Sequence, residues 1–435
     1  MNRRFNLRAP WVSRILMLTG FAAALSLAAC GEKLESGAGC PILCPTPDVQ
    51  LRDTTVEAIA VDSSLAGFPV IGEESPLLLA ARGDTLDTRV IFRFDSLSKS
   101  YPHPSAPADS FVNHIDSAMI RVVLDTSTLA GVPRLPTSPV TVEMYDVGSA
   151  ASDTVAADYL PLFNPSNLIG TKTFAPESLA KDTLNLPLAP STVLQKIISG
   201  SRLRVGLRLV SSTSTQLRIE SSAVAGATLR YKPASDTAVN VVLLSQTPTD
   251  TALSTLRTDL EDYVITAKNL APRPANTIAI GGFPANRTYM RFDLPSKIVD
   301  SSTVVRATLY LTQYPMRTSA SAQDSLTMYP FAITAGAVLT DIPRLMRLVN
   351  VNTLASDSLR LVPSDSGGKR MELVGIVRVW KNTKAEQTQR ALVLVGANEG
   401  TNPATAAFFS SSASDPSLRP RLQLTYVPTV TLGLP

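Results

Sequence analysis

The tetrapeptide Phe92-Arg93-Phe94-Asp95 is matched 198 positions later by Met290-Arg291-Phe292-Asp293. Each copy opens a run of strand-like segments. Each run closes on a similar strand, ending at Tyr231 in the first half and Tyr426 in the second. A period this long does not describe a solenoid of small repeats; it implies two domains, each with its own core. A chain of 435 residues has room for both.

Within the repeated strand, Val90, Phe92 and Phe94 alternate with Ile91, Arg93 and Asp95. Period-two alternation is the mark of a β-strand. Further strand candidates in the first half are 118–124, 140–145, 183–188, 203–209, 216–219 and 227–231. In the second half they are 239–244, 288–294, 304–311, 326–331, 391–395, 406–410 and 421–426. Two short helices interrupt the series. Leu194, Ile197 and Ile198 have helical spacing within 190–199, where Ser191 is available as a cap, and Leu373, Ile376, Val377 and Trp380 repeat that spacing. A further helical turn is expected within 340–350, starting at Pro343. Thirty-two prolines and many Ser and Thr favour short strands joined by turns. The expected fold is all-β: two tandem jelly-roll-like β-sandwiches over 51–233 and 237–428, each with a short helix.

The N-terminus is a targeting segment. Arg3, Arg4, Arg8 and Arg14 precede a 13-residue apolar stretch, Ile15 to Leu27, which is short for a membrane span. It ends in Leu27-Ala28-Ala29-Cys30. That sequence resembles the lipobox of bacterial lipoproteins. The resemblance implies a signal peptide over 1–29, a lipid anchor on Cys30, and a tether over 30–50. The tether is rich in Gly, Ser, Pro and charge. Gly31 rather than Asp after the cysteine implies an outer-membrane destination in a diderm host.

Loss of the leader changes the charge. The chain has 40 basic and 36 acidic residues, and four arginines leave with residues 1–29, so the remainder is formally neutral. A neutral chain without a basic run lacks the footprint of a nucleic-acid binder. Three cysteines exist. With Cys30 lipidated, Cys40 and Cys44 are left in an oxidising setting, either as a local disulfide or as two idle thiols.

The second half resembles the DNRLRE-type domain, a jelly-roll module of microbial cell-surface proteins related to carbohydrate-binding modules. Three stretches carry the resemblance: Tyr289 to Leu294 with Val305 to Leu311; Val379-Trp380; and Phe408 to Ser411 with Arg419-Pro420-Arg421 through Tyr426. They span about 239–428. The first half keeps Arg93-Phe94-Asp95 and the closing strand, but not the Trp or the Arg-Pro-Arg.

Arg93 with Asp95, and Arg291 with Asp293, stand two apart on one strand face, within pairing reach. Core-like flanks make them structural ion pairs in preference to a ligand site. The histidines are His103 and His114, the latter near Asp116, and no Gly-x-Ser-x-Gly elbow accompanies them. No metal-ligand cluster or phosphate loop is present, and no cofactor is expected. Gly281-Gly282 reads as a turn. Carbohydrate modules often stack sugars on exposed aromatics. Here Trp380 belongs on a buried helix face, while Tyr101, Tyr159, Tyr263 and Tyr314 fall in loop-like regions. The expectation is a non-catalytic surface lipoprotein with a structural or adhesive role; the alternative is a polysaccharide-binding module or an accessory to polysaccharide processing. The partners expected are the membrane, through Cys30, and a polysaccharide or surface protein, with no nucleic acid.

Overall fold

The computed structural model describes residues 51–57, 61–83, 85–95, 97–102, 107–127, 135–148, 156–233, 241–244, 262–268, 273–316, 325–335, 357–382 and 389–429. Cys30, Cys40, Cys44, His103 and the expected turn at 340–350 lie outside them. The described residues belong to one compact unit spanning Gln50–Pro435. It is all-β and antiparallel.

The first half supplies β1 (Arg52–Glu57), β2 (Val61–Phe68), β3 (Leu77–Arg82), β4 (Leu86–Phe94), the two-residue β5 (Ser100–Tyr101) and β6 (Ser110–Phe111), β7 (Ser117–Val123), β8 (Val140–Asp146), β9 (Leu168–Phe174), β10 (Thr183–Leu188), β11 (Leu203–Val210), β12 (Thr215–Ile219) and β13 (Thr228–Lys232). The second supplies β14 (Val241–Leu244), β15 (Asp262–Lys268), β16 (Thr277–Gly281), β17 (Ala285–Arg291), β18 (Ser302–Tyr314), β19 (Leu326–Ala335), β20 (Leu359–Leu361), β21 (Gly367–Glu372), β22 (Gln389–Gly396), β23 (Thr405–Phe409) and β24 (Arg421–Pro428).

Strand order reveals the repeat. One sheet runs β12-β3-β4-β11-β8-β9, with β15 on β4, and faces a second running β10-β7-β13-β14. Their inner faces share one apolar core, including Phe92, Val205, Ile120 and Leu229. We call this the N-sandwich. The C-terminal strands repeat both orders as β23-β16-β17-β22-β19-β20, with β2 on β17, and β21-β18-β24-β1. Here β18 continues onto β23 at Gln313 and Tyr314, which joins the two sheets into one hydrogen-bonded set. A second core, with Met290, Leu392, Leu309 and Leu422, fills this C-sandwich.

The division expected at 51–233 and 237–428 does not describe this pairing. The first two strands among the described residues lie in the C-sandwich: β1 pairs with β24, and β2 with β17. The two strands that open the second half lie in the N-sandwich: β14 pairs with β13, and β15 with β4. Each half is completed by the first two strands of the other. The crossovers are equal in length, residues 69–76 from β2 to β3 and 269–276 from β15 to β16.

The helices stand at equivalent places, before β11 and β22. In Pro190–Ser199 the N-cap is Ala189, whose side chain offers no bond, so the expected Ser191 cap is not the one used. The helix ends on Gly200 in the left-handed region at φ 67°, where glycine carries no Cβ penalty. It buries Val193 and Ile197 and leaves Ile198 exposed, so the apolar stripe is one position away from the expected one. Val374–Asn382 buries Ile376, Val377 and Trp380 as the spacing predicts.

Candidate functional site at the strand seam

Arg93 and Asp95 pair as the sequence implies. Nε donates to Oδ1 at 3.0 Å, and Nη2 lies 2.9 Å from Oδ2. Arg93 is buried, which the strand pattern did not anticipate. The outer face of β4 is covered by a second apolar cluster of Ile91, Tyr145, Val147, Tyr159, Phe163, Tyr263 and Ile265. Arg204, also buried, stands directly opposite Arg93 across the strand pair. Like charges in that position repel. Asp95 and the Tyr159 hydroxyl, which accepts from Arg204 Nη1, offset the repulsion. In the second copy Arg291 is half-buried at the end of β17 and Asp293 is exposed. The buried arginine in that region is Arg390, which holds both oxygens of Asp300 at 2.9 Å and the Leu294 carbonyl at 2.7 Å.

The remaining candidates resolve quickly. His114 is exposed. Trp380 is buried against Phe292, and its indole donates to the Ala391 carbonyl at 3.1 Å. Tyr101, Tyr159 and Tyr263 are buried, which removes them as exposed sugar platforms; Tyr314 is half-buried, edge-on to Phe409. Gly281 and Gly282 both take positive φ, as a turn requires. Among the described residues no three His, Cys, Asp or Glu side chains gather as a metal site, and no helix is long and apolar enough to cross a membrane.

The polar side chains of greatest structural consequence lie where strands change halves. Asp62, on β2, accepts from both the backbone N–H and the hydroxyl of Ser411. Asp262, on β15, accepts from the N–H and the hydroxyl of Ser222 at 2.5 and 2.8 Å. The two aspartates are 200 positions apart, and they stand opposite Met290 and Phe92, the very residues that the sequence repeat matches. The two serines follow equivalent strands, β23 and β12. These are one clamp built twice.

Each clamp has different company. In the C-sandwich, Ser64 accepts from the Ala279 N–H at 2.7 Å and donates to Thr288, which donates to the Ala279 carbonyl. Phe68 lies beneath Arg287, with Cζ 4.0 Å from the ring centroid, and Arg287 grips both oxygens of Glu399. Burial pushes the Glu399 carboxyl up, and Arg287 offsets part of that. In the N-sandwich, Glu74 sits in the 69–76 crossover, buried. Its carboxylate accepts from the N–H of Gly72 at 2.5 Å and of Val264, on β15, at 3.4 Å. Burial is the main cause that pushes Glu74 up to about 7, with a smaller contribution from the charge of Asp262.

Sequence reasoning assigned none of these residues a role in joining the halves. The available signal was the repetition of Asp62 at Asp262, and of Ser221-Ser222 at Ser410-Ser411. Each clamp aspartate accepts from both the N–H and the hydroxyl of the one serine it faces.

No protein-family model matches the chain, and neither does any curated protein sequence. Among solved structures, one described as a secreted protein from Parabacteroides distasonis is 11% identical, covering 86% of this chain and 99% of that one, with a TM-score of 0.23. The VP2 subviral particle of infectious bursal disease virus is 11% identical over 88% of this chain and 78% of that one, with a TM-score of 0.11. At these scores the likeness carries no functional assignment.

Proposed function

We propose that the chain is a non-catalytic, lipid-anchored cell-envelope protein with a structural or adhesive role, placed in the outer membrane where the host has one. The observation that carries the reading is Leu27-Ala28-Ala29-Cys30 directly after a 13-residue apolar stretch. The use of the charges at the seams supports it: Glu74, Asp262, Arg287 and Glu399 are engaged in holding exchanged strands or the turns beside them. Cys40 and Cys44 then lie in the tether between the lipid and the folded unit. Labelling cells with radioactive palmitate tests the anchor. The wild type takes up label and Cys30→Ala does not; equal label in both overturns the reading.

The second reading is the polysaccharide-binding module that the DNRLRE-like stretches of the C-terminal half imply. One row of side chains favours it. Tyr310 stands directly opposite Arg370 on one neighbouring strand and Arg421 on the other, with guanidinium carbons 5.5 and 5.2 Å from its ring centroid. Both arginines are exposed. Electrophoresis through gels containing neutral or acidic polysaccharide tests this reading. Retardation that is lost in Arg370→Ala/Arg421→Ala supports it, and unretarded migration in every gel removes it.

A further inference from the structure

The strand exchange has a direction. Within the chain, the strands that open the second half, β14 and β15, complete the sandwich that precedes them. The C-sandwich has no following repeat among the described residues. Its completing strands, β1 and β2, come instead from the start of the same chain. We propose that β1 and β2 of a second copy of this chain occupy that position as well, joining copies head to tail by donor-strand exchange.

Three observations carry this. First, the junction needed between copies already exists within one copy. Residues 269–276 take the chain from a completing strand in one sandwich into the next sandwich, and residues 69–76 have the same length and the same task. An eight-residue link spans at most about 28 Å, and it serves either way because the sandwiches it joins are equivalent. Second, the acceptor is specific for this donor. Six residues of β1 pair with β24 and seven of β2 with β17. Asp62 meets Ser411, and Asp53 accepts from the Thr425 hydroxyl at 2.6 Å. All of these contacts form identically whether the donor is the chain's own or a neighbour's, so exchange sacrifices none of them. Third, the same clamp secures the same strand at Asp262 and Ser222, so a sandwich closed by the next repeat is a stable arrangement for this sequence. Added strands of this kind are held by main-chain bonds, and alternate side chains set their register. A head-to-tail contact is heterologous and closes as a ring or grows as a filament. Linkage within one chain favours self-closure in dilute solution, and crowding favours exchange.

A disulfide pair reads which chain supplies the donor. Asp53 and Thr425 are directly paired neighbours on antiparallel strands, a spacing that a disulfide spans. Asp53→Cys with Thr425→Cys is made in the full chain with Cys30, Cys40 and Cys44 changed to Ser, in two differently tagged versions. These are unfolded, mixed, refolded over a range of concentrations and oxidised. The expected result is covalent dimers and longer ladders carrying both tags on non-reducing gels. While the between-chain product is small, its ratio to the within-chain product rises about tenfold for each tenfold rise in protein concentration. Arg230→Cys with Val242→Cys, which links β13 to the β14 that follows it, stays within one chain throughout. Light scattering on the wild type, carrying no new cysteine, shows the matching rise in mass. Within-chain links alone for Asp53/Thr425 at every concentration overturn the proposal. So do oligomers whose Asp53/Thr425 link lies within a chain, and so does between-chain linking by the control pair.

Discussion

In the C-sandwich, β2 is fastened by Asp62, by the Ser64–Thr288 relay, and by Phe68 beneath an arginine that is itself paired. In the N-sandwich, the equivalent β15 is fastened by Asp262 beside a second buried carboxyl, Glu74. The backbone arrangement is the same and the electrostatics are opposite in character. One seam pairs a half-buried cation with a half-buried anion. The other places two acids together and raises the proton affinity of one. The strand exchange therefore does not depend on either solution: the clamp and the ladder define it, and the neighbouring charges determine how each seam responds to mutation and to pH.

The largest expected effect is at the paired seam. Glu399→Ala leaves the half-buried Arg287 guanidinium over the Phe68 ring with its carboxylate removed. Breaking one partner of a fully buried pair costs about 3–5 kcal/mol; with side chains 13% and 10% exposed, this pair falls at the lower end, about 3 kcal/mol. Urea unfolding followed by tryptophan fluorescence checks this, since Trp380 lies in the same sandwich core. A loss below about 1 kcal/mol would mean that water reaches the guanidinium and that the pair behaves as a surface one.

The next effect belongs to the acidic seam and is a pH dependence. Glu74 is held at about 7, against 4.5 for an ordinary glutamate carboxyl. The folded state therefore keeps a proton that the unfolded chain gives up. Its stability contribution is fully present below about 4.5 and is lost as pH rises to about 7, a change of about 2–3 kcal/mol. Glu74→Gln removes the titration. Stability curves of the two proteins should lie together near pH 4.5 and separate by pH 7.5, with the variant the more stable. Parallel curves across that range would show that Glu74 does not titrate there.

Much of the frame was legible. Thr183–Leu188 and Pro190–Ser199 fall where alternation and helical spacing put them, and Trp380 faces the core as its spacing implies. The repeated phrase was matched at the correct residues, since Phe92 and Met290 take equivalent positions opposite Asp262 and Asp62. The pattern left β3, β9, β16, β20, β21 and the two-residue β5 and β6 unassigned, and with them three strands that change halves, β1, β2 and β15. The β2 sequence, Val-Asp-Ser-Ser-Leu-Ala-Gly-Phe, has no clean period of two. Its register is set by Asp62 and Ser64 reaching residues more than 200 positions away. A hydrophobic pattern reports which face of a strand is covered; it carries no information on which half of a duplicated chain supplies the neighbour. The burial of Arg93 was hidden for a related reason, because Tyr263 and Ile265, which help cover that face, arrive from the other half.

The smallest effect is the most direct comparison of the two seams. Asp62→Ala removes two bonds from Ser411, and Asp262→Ala removes two from Ser222. On bond count alone each costs about 1–3 kcal/mol. The second substitution also withdraws a negative charge from beside Glu74, whose ionised form that charge disfavours. At pH 7.5 part of the cost of Asp262→Ala is therefore offset, and it should be the milder change by about 0.5–1 kcal/mol. At pH 5 Glu74 is already neutral, the relief disappears, and the gap between the two variants narrows. Denaturant midpoints for both variants at the two pH values separate the contributions. A gap that stays constant with pH would leave the difference to hydrogen-bond geometry alone and would show the two acids of the N-sandwich to be uncoupled.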